Sequence, residues 1–403
     1  MMRLEIRNAR IWNGLADAYL DDRSLTCEGG RIRTIGRDLS GDAETIDLGG
    51  RALLPGFIDA HYHAYAAAVN VPYLEGLPIS YLAHYASKSL GATLDRGFTT
   101  VRDAGGADWG LWKATEEGVI RGPRIHYSGR ALSQTGGHGD SRAQHAEPCS
   151  CRYIANLAEV ADGVDEVRRV AREALRKGAH QLKIFVSGGV ASPTDPIWMP
   201  QYSPEEIRAV VSEAQSRRTY VMAHAYTAPS IIHAVTNGVR SIEHGNLLDA
   251  EAAGVMASHG AFLDPTLITY DVLAREGAAH GLPEVSQEKL AEVADRGADA
   301  VRIARRAGVP IGFGTDLLGA LQHWQLHEFR LRGAIEAPLE VLRSATSVNA
   351  ALLNRSGEIG EIREGALADL VAFDDDPLAD LETIYARGPA LVIKGGQIVF
   401  SRL

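Results

Sequence analysis

The chain has 403 residues, 45% of them hydrophobic and 23% charged, with a formal net charge of -10 at pH 7. That is the composition of a folded globular protein with a sizeable core, and it offers no basic field to gather nucleic acid or an anionic membrane surface. The N-terminal stretch alternates charged and apolar residues rather than forming the apolar run of a signal peptide. Three cysteines, Cys27, Cys149 and Cys151, are too few for a disulfide framework, so a cytoplasmic location is expected, without membrane or nucleic-acid partners. Cys149-Ser-Cys151 reads as a pair of loop thiols, because it lacks the second half of a metal site.

In chain order, segments 4–12, 23–30 and 31–37 read as short strands broken by Asn-Gly and Gly-Gly turn signals. Similar segments return at 367–373 and 390–400. Both ends are expected to form one small discontinuous β-sandwich, residues 1–54 and 356–403, flanking a unit over 55–355. Within that unit, apolar β-rich stretches alternate with helical patterns such as 165–176 and 203–214, the latter opening with Ser203 as N-cap and Pro204 at the first helical position. The strands end near His61, Asp103, Ser133, Ser187, His224, His244, Thr266 and Asp316. The alternation predicts an α/β fold, a (β/α)8 TIM barrel with parallel strands. Connections over 134–161 and 188–202 exceed what the helix crossings need and would lie over the C-terminal face as lids or specificity loops.

The polar residues at the strand ends carry the chemical signal. His61 and His63 are two apart in an extended continuation, so both imidazoles point to one side. His224, His244 and Asp316 each close an apolar run. Any one of them alone reads as a hydrogen-bonded structural residue; together, at C-terminal strand ends, they read as metal ligands. Lys183 interrupts the apolar strand 182–186, where an inward ammonium would be costly to desolvate. The alternatives for it are an outward orientation or a buried carboxylate partner.

Pro-Gly-Phe-Ile-Asp-Ala-His61-Tyr-His63, Lys183-Ile-Phe-Val-Ser-Gly-Gly189, His224, Ile242-Glu-His244-Gly and Gly314-Thr-Asp316 together resemble the amidohydrolase superfamily in its binuclear, carboxylated-lysine subtype. The resemblance implies two divalent metal ions, with zinc expected and cobalt, manganese or iron also suited to the donors. His61, His63 and Asp316 would hold one, His224 and His244 the other, and carboxylated Lys183 would bridge them. A metal-bridging hydroxide would attack an amide carbonyl, with Asp316 as catalytic proton shuttle. The deaminase-type His-x-x-Glu is absent after strand five, where Ala225, Tyr226 and Thr227 follow His224.

The tracts 134–140 and 224–226 are closer to the Xaa-Pro dipeptidase (prolidase-like) group and its relatives, the carboxypeptidases of N-acyl amino acids and the ochratoxin-hydrolysing enzymes. That implies a small-molecule substrate, a dipeptide or N-acyl amino acid with a free carboxylate, received by His138 and Tyr226. His138 would also contact the reacting carbonyl, beside backbone N–H donors exposed by Gly136, Gly137 and Gly139. Aryl amides, carbamates, ureas or lactones at the same centre are the alternative substrates. Arg102 and Asp103 would orient ligands from behind. A homo-oligomer is compatible with the sequence, which marks no interface.

Overall fold

The structure, a computed structural model, describes residues 3–37, 44–142, 157–192 and 194–403. Cys149, Cys151 and the middle of the 134–161 connection lie outside them. The two chain ends meet in one mixed sheet. Its order runs Gln397–Ser401, Leu391–Lys394, Leu370–Phe373, Ala52–Pro55, Arg3–Ile11, Leu20–Glu28, Arg31–Gly36, with Glu44–Asp47 also paired to Arg3–Ile11. The stitch between the ends is the antiparallel ladder that sets Val371 opposite Leu54. Leu4, Ile6, Leu25, Leu53, Leu370 and Ile393 from these strands bury together, so the sheet has its own core.

The remainder is a (β/α)8 barrel. Phe57–Tyr62, Phe98–Asp103 and Arg124–Tyr127 pair in parallel. Ala131–Ser133, Leu182–Phe185, Val221–Thr227, Ser241–Leu247 and Phe262–Asp264 continue the parallel order. The third expected strand therefore comes in two pieces, 124–127 and 131–133, separated by a turn with Gly129 at φ +73°. His180 N donates to Tyr127 O, and Gln181 Nε2 donates to the carbonyls of Asp103 and His126, joining the two parallel sheets.

The eighth expected strand differs from the prediction. It makes a single bridge, Ile311 to Leu263, in place of a ladder. The chain there passes too close to its neighbours for side chains: a Cβ on Gly314 would fall 2.5 Å from the Asp264 carboxylate and 2.6 Å from His61 Cβ. Asn349 substitutes for the missing ladder, accepting from Phe313 N and donating to the carbonyls of Ile58 and Phe313. Ala60 N to Phe313 O and Asp316 N to His61 O then close the ring onto the first strand.

The two helices singled out in the sequence span Val164–Arg176 and Pro204–Ser216. The first buries Val167, Val170, Ala171 and Leu175 at helical spacing. The second carries a full capping box between Ser203 and Glu206. After the seventh strand the chain makes an unanticipated excursion, Leu267–Glu276 and Glu284–Val293, before the helix Gly297–Arg306. Among the described residues no helix is long and apolar enough to cross a membrane.

Candidate active site

The barrel brings five of the expected residues into one cluster at the C-terminal strand ends. His61, His63 and Asp316 place ligand-type atoms within 4.8 Å of one another. His63 Nε2 lies 3.3 Å and His61 Nε2 3.6 Å from Asp316 Oδ1, and His244 Nδ1 lies 4.0 Å from Asp316 Oδ2. The His244 ring centre is 4.9 Å from that of His61 and 4.8 Å from that of His224. His244, Thr266 and Asp316 all hold left-handed backbone, φ 73°, 46° and 49°. Side-chain residues rarely accept that conformation, and it clusters where a site must aim its groups.

Each imidazole is oriented from behind. His61 Nδ1 pairs with Glu243 Oε2 at 2.7 Å, His63 Nδ1 with Gly105 O at 2.9 Å, and His244 Nδ1 with Thr266 Oγ1 at 2.8 Å. These contacts leave Nε2 of His61 and His63 facing Asp316, while His224 is held the other way round, its Nε2 on Gly188 O at 3.1 Å, the kind of orientation that second-layer partners impose on metal-binding histidines. Burial holds His61, His224 and His244 well below the usual histidine range, so they stay neutral with lone pairs available. His63 is the exception: burial opposes its charge, but Asp316, Asp103 and the Gly105 carbonyl together outweigh burial and raise it. Asp316 is in turn pulled below the usual carboxylate range, against its own burial, by His61, His63 and Lys183.

Of the orientations left open by the sequence, Lys183 takes the inward one. It is 2% exposed, and among the described residues no carboxylate lies within ion-pair reach of its ammonium. Burial lowers it to about 8, despite the opposing fields of Glu243 and Asp316. An unpaired buried ammonium beside four histidines and a carboxylate makes poor sense as a finished structure.

His138 and Tyr226 both flank His224, with ring centroids 4.3 Å and 4.6 Å from it. The expectation of free N–H donors beside His138 fails. Gly136 N bonds Asp140, Gly137 N bonds Gln134 O, His138 N bonds Gln201 Oε1 and Gly139 N bonds Ser133 Oγ. The glycine-rich turn spends its donors on its own folding and presents the imidazole alone.

Arg102 and Asp103 act at one remove. Arg102 holds Glu243 at 2.9 Å and Asp264 at 3.3 Å beneath the cluster, while Asp103 accepts from the backbone N–H groups of Ala64, Gly105 and Ala107 and so shapes the turns around His63.

Sequence reasoning missed four contributors. Glu243 orients His61, and the signal was there: like Lys183, it is a charge inside an apolar strand. Tyr270 donates to Tyr226 Oη at 2.9 Å. Asp195 lies 3.5 Å from His138 Nδ1, and Lys289 Nζ binds Gly189 O, Ser192 O and Asp195. These three come from a loop and from the excursion after the seventh strand, where no periodicity points inward.

A closed barrel with imidazoles, a carboxylate and a buried lysine at its strand ends defines a class that the comparisons then specify. The sequence profile of the amidohydrolase family matches residues 52–399, and the chain belongs to that family. The ochratoxinase of Aspergillus niger is 34% identical over 367 residues, covering 86% of this chain and 75% of the relative. A prolidase solved with N-methylphosphonate-L-proline superposes with a TM-score of 0.98 at 45% identity over all of both chains. A Xaa-Pro dipeptidase with methionine in its active site superposes at 0.88 and 30% identity, covering 98% of this chain and 99% of that one. The protein is a hydrolase acting on amide bonds, in a family that generally uses divalent metal ions.

Proposed function

We propose that the protein hydrolyses the amide bond of Xaa-Pro dipeptides or N-acyl amino acids bearing a free carboxylate. The observation that carries this reading is the placement of His138 and Tyr226 against His224, on the rim of the histidine cluster. The likeness to a prolidase solved with a proline phosphonate supports it.

The donors fit two divalent cations, zinc by preference for imidazole. His61, His63 and Asp316 would hold one, His224 and His244 the other, with Lys183 between them as a carbamate, formed when its neutral amine adds carbon dioxide and releases a proton. Bound there, the cations would supply Lewis acidity and bring the ionisation of water near neutral pH. Asp316, with an oxygen beside both His61 and His63, accepts the proton of the attacking water and delivers it to the departing amine. Tyr226, its oxygen already accepting from Tyr270, keeps its own O–H to donate to substrate. His138 donates through Nδ1 to Ser192 at 2.8 Å, with Asp195 behind it as counter-charge, and with its second nitrogen also protonated would donate Nε2–H to the carbonyl or carboxylate.

The test is release of amine from purified, metal-analysed protein supplied with Xaa-Pro dipeptides, N-acyl amino acids and aryl amides. Turnover confined to substrates with the free acid supports the reading. Turnover of aryl amides or carbamates without it transfers the assignment to those bonds.

A further inference from the structure

A cavity of about 350 Å³ opens at the foot of the barrel, where His180 and Thr219 lead into the strands Leu182–Phe185 and Val221–Thr227. Its walls include His126, His180, Arg217, Arg218 and Arg355, and among the described residues no aspartate or glutamate lines it. In a chain of net charge -10 this is a local reversal of sign. Arg217 and Arg218 are exposed and have no ion-pair partner among the described residues, while Arg355 keeps one nitrogen on Glu358, outside the lining. His126 is 4% exposed, and its Nε2 has no hydrogen-bond partner. Native structures seldom leave such an atom unpaired unless something absent satisfies it. His180 Nδ1 faces the Tyr127 N–H, so its proton sits on Nε2 as a donor.

We propose that this cavity binds a small, multiply charged oxyanion, a phosphate-bearing or polycarboxylate molecule held by Arg217, Arg218 and Arg355, with the histidines as further donors. Guanidinium forks match the paired oxygens of such ligands, and the cavity exceeds the volume of a single phosphate, leaving room for a molecule that carries one. Burial and the Arg355 charge together hold His180 down at about 4, and an anion between them would reverse the second of these.

The experiment is calorimetric titration of the holoenzyme with inorganic phosphate, pyrophosphate and citrate at fixed ionic strength, repeated on R217A/R218N. Asparagine suits position 218, where φ is +56°. Saturable binding of at least one probe, weakened about tenfold or more in the double variant with kcat unchanged, is expected. An upward shift in the His180 titration, followed by NMR, should accompany it. Preference for phosphate and pyrophosphate over citrate, or the reverse, separates the two ligand sources. Absence of saturable binding for all three probes would overturn the proposal. So would binding that survives R217A/R218N, because the anion would then sit elsewhere, the metal centre included.

Discussion

The imidazole of His138 lies nearly parallel to that of His224, with ring centroids 4.3 Å apart and planes inclined by 22°. This stack depends on distant parts of the chain. His138 Nδ1 rests on Ser192, Ser192 is hydrogen-bonded to Asp195, and Asp195 also receives Gly189 N and Gln201 Nε2. Lys289, from the helix Glu284–Val293, pins this loop by its three contacts. The approach is so close that a Cβ on Gly189 would lie 2.2 Å from the His138 ring.

Lys289→Met should therefore release the loop and misplace His138 without touching the metal cluster. A loss of about ten- to a hundredfold in kcat/KM is expected, with metal content unchanged and partial recovery in Lys289→Arg. Steady-state kinetics beside metal analysis decides it; activity within twofold of wild type would show that the loop holds itself.

Tyr226→Phe removes the O–H that the Tyr270 hydrogen bond leaves free to donate onward. It should cost about ten- to a hundredfold in kcat/KM on a free-acid substrate and much less on its methyl ester. Tyr270→Phe should give a smaller loss of the same pattern, since it disturbs only the orientation of the Tyr226 hydroxyl. Equal losses on acid and ester would place Tyr226 at the carbonyl.

Lys183→Ala should lose most activity and metal, with partial rescue by short carboxylic acids or bicarbonate. In the metal-free state the sign reverses for stability. Lys183→Met removes an unpaired buried ammonium and should melt at or above metal-free wild type. Full metal occupancy in Lys183→Ala would exclude a bridging role.

The cluster was legible in the sequence because barrel geometry turns a position in the chain into a position in space. A histidine at the end of an apolar run must lie at the barrel mouth, and two histidines two apart must share a side. For Lys183 the sequence left an outward orientation or a carboxylate partner open, and the structure buries it between Leu182 and Ile184, both fully buried. What stayed illegible was whatever the barrel rule does not govern. The eighth strand was read as a ladder because Val309-Pro-Ile-Gly-Phe is apolar, whereas Gly312 and Gly314 serve contact with Asn349, Asp264 and His61. Asp195 and Lys289 are 94 residues apart and meet only through loop packing.

Asp316→Asn keeps the size of the side chain but removes its basicity. If Asp316 moves the proton from water to amine, kcat should fall by on the order of a hundredfold or more, and KM much less. Metal content measured on the same preparation separates a lost base from a lost ligand. A kcat within a few-fold of wild type, with metal retained, would remove the shuttle.

Glu328 supplies a pH signature independent of the metal cluster. Its side chain is fully buried; Oε2 accepts from Ile268 N at 2.7 Å, and Oε1 has no hydrogen-bond partner. Burial raises the carboxyl to about 8, outweighing the Arg332 charge that lowers it. Since this folded-state value exceeds the ordinary glutamate value, the folded chain binds more protons than the unfolded chain between about pH 4.5 and 8. The contribution of Glu328 to stability is therefore fully present below that window and falls as pH rises through it, by at most about 1.4 kcal/mol per pH unit. Glu328→Gln cannot titrate and keeps an acceptor for Ile268 N. Its melting temperature relative to wild type should shift in the variant's favour as matched buffers are stepped from about pH 5 to pH 8, whatever the offset at the acid end. A difference that stays flat across the window would show that Glu328 is ionised in the folded protein throughout, with its second oxygen satisfied by a buried water.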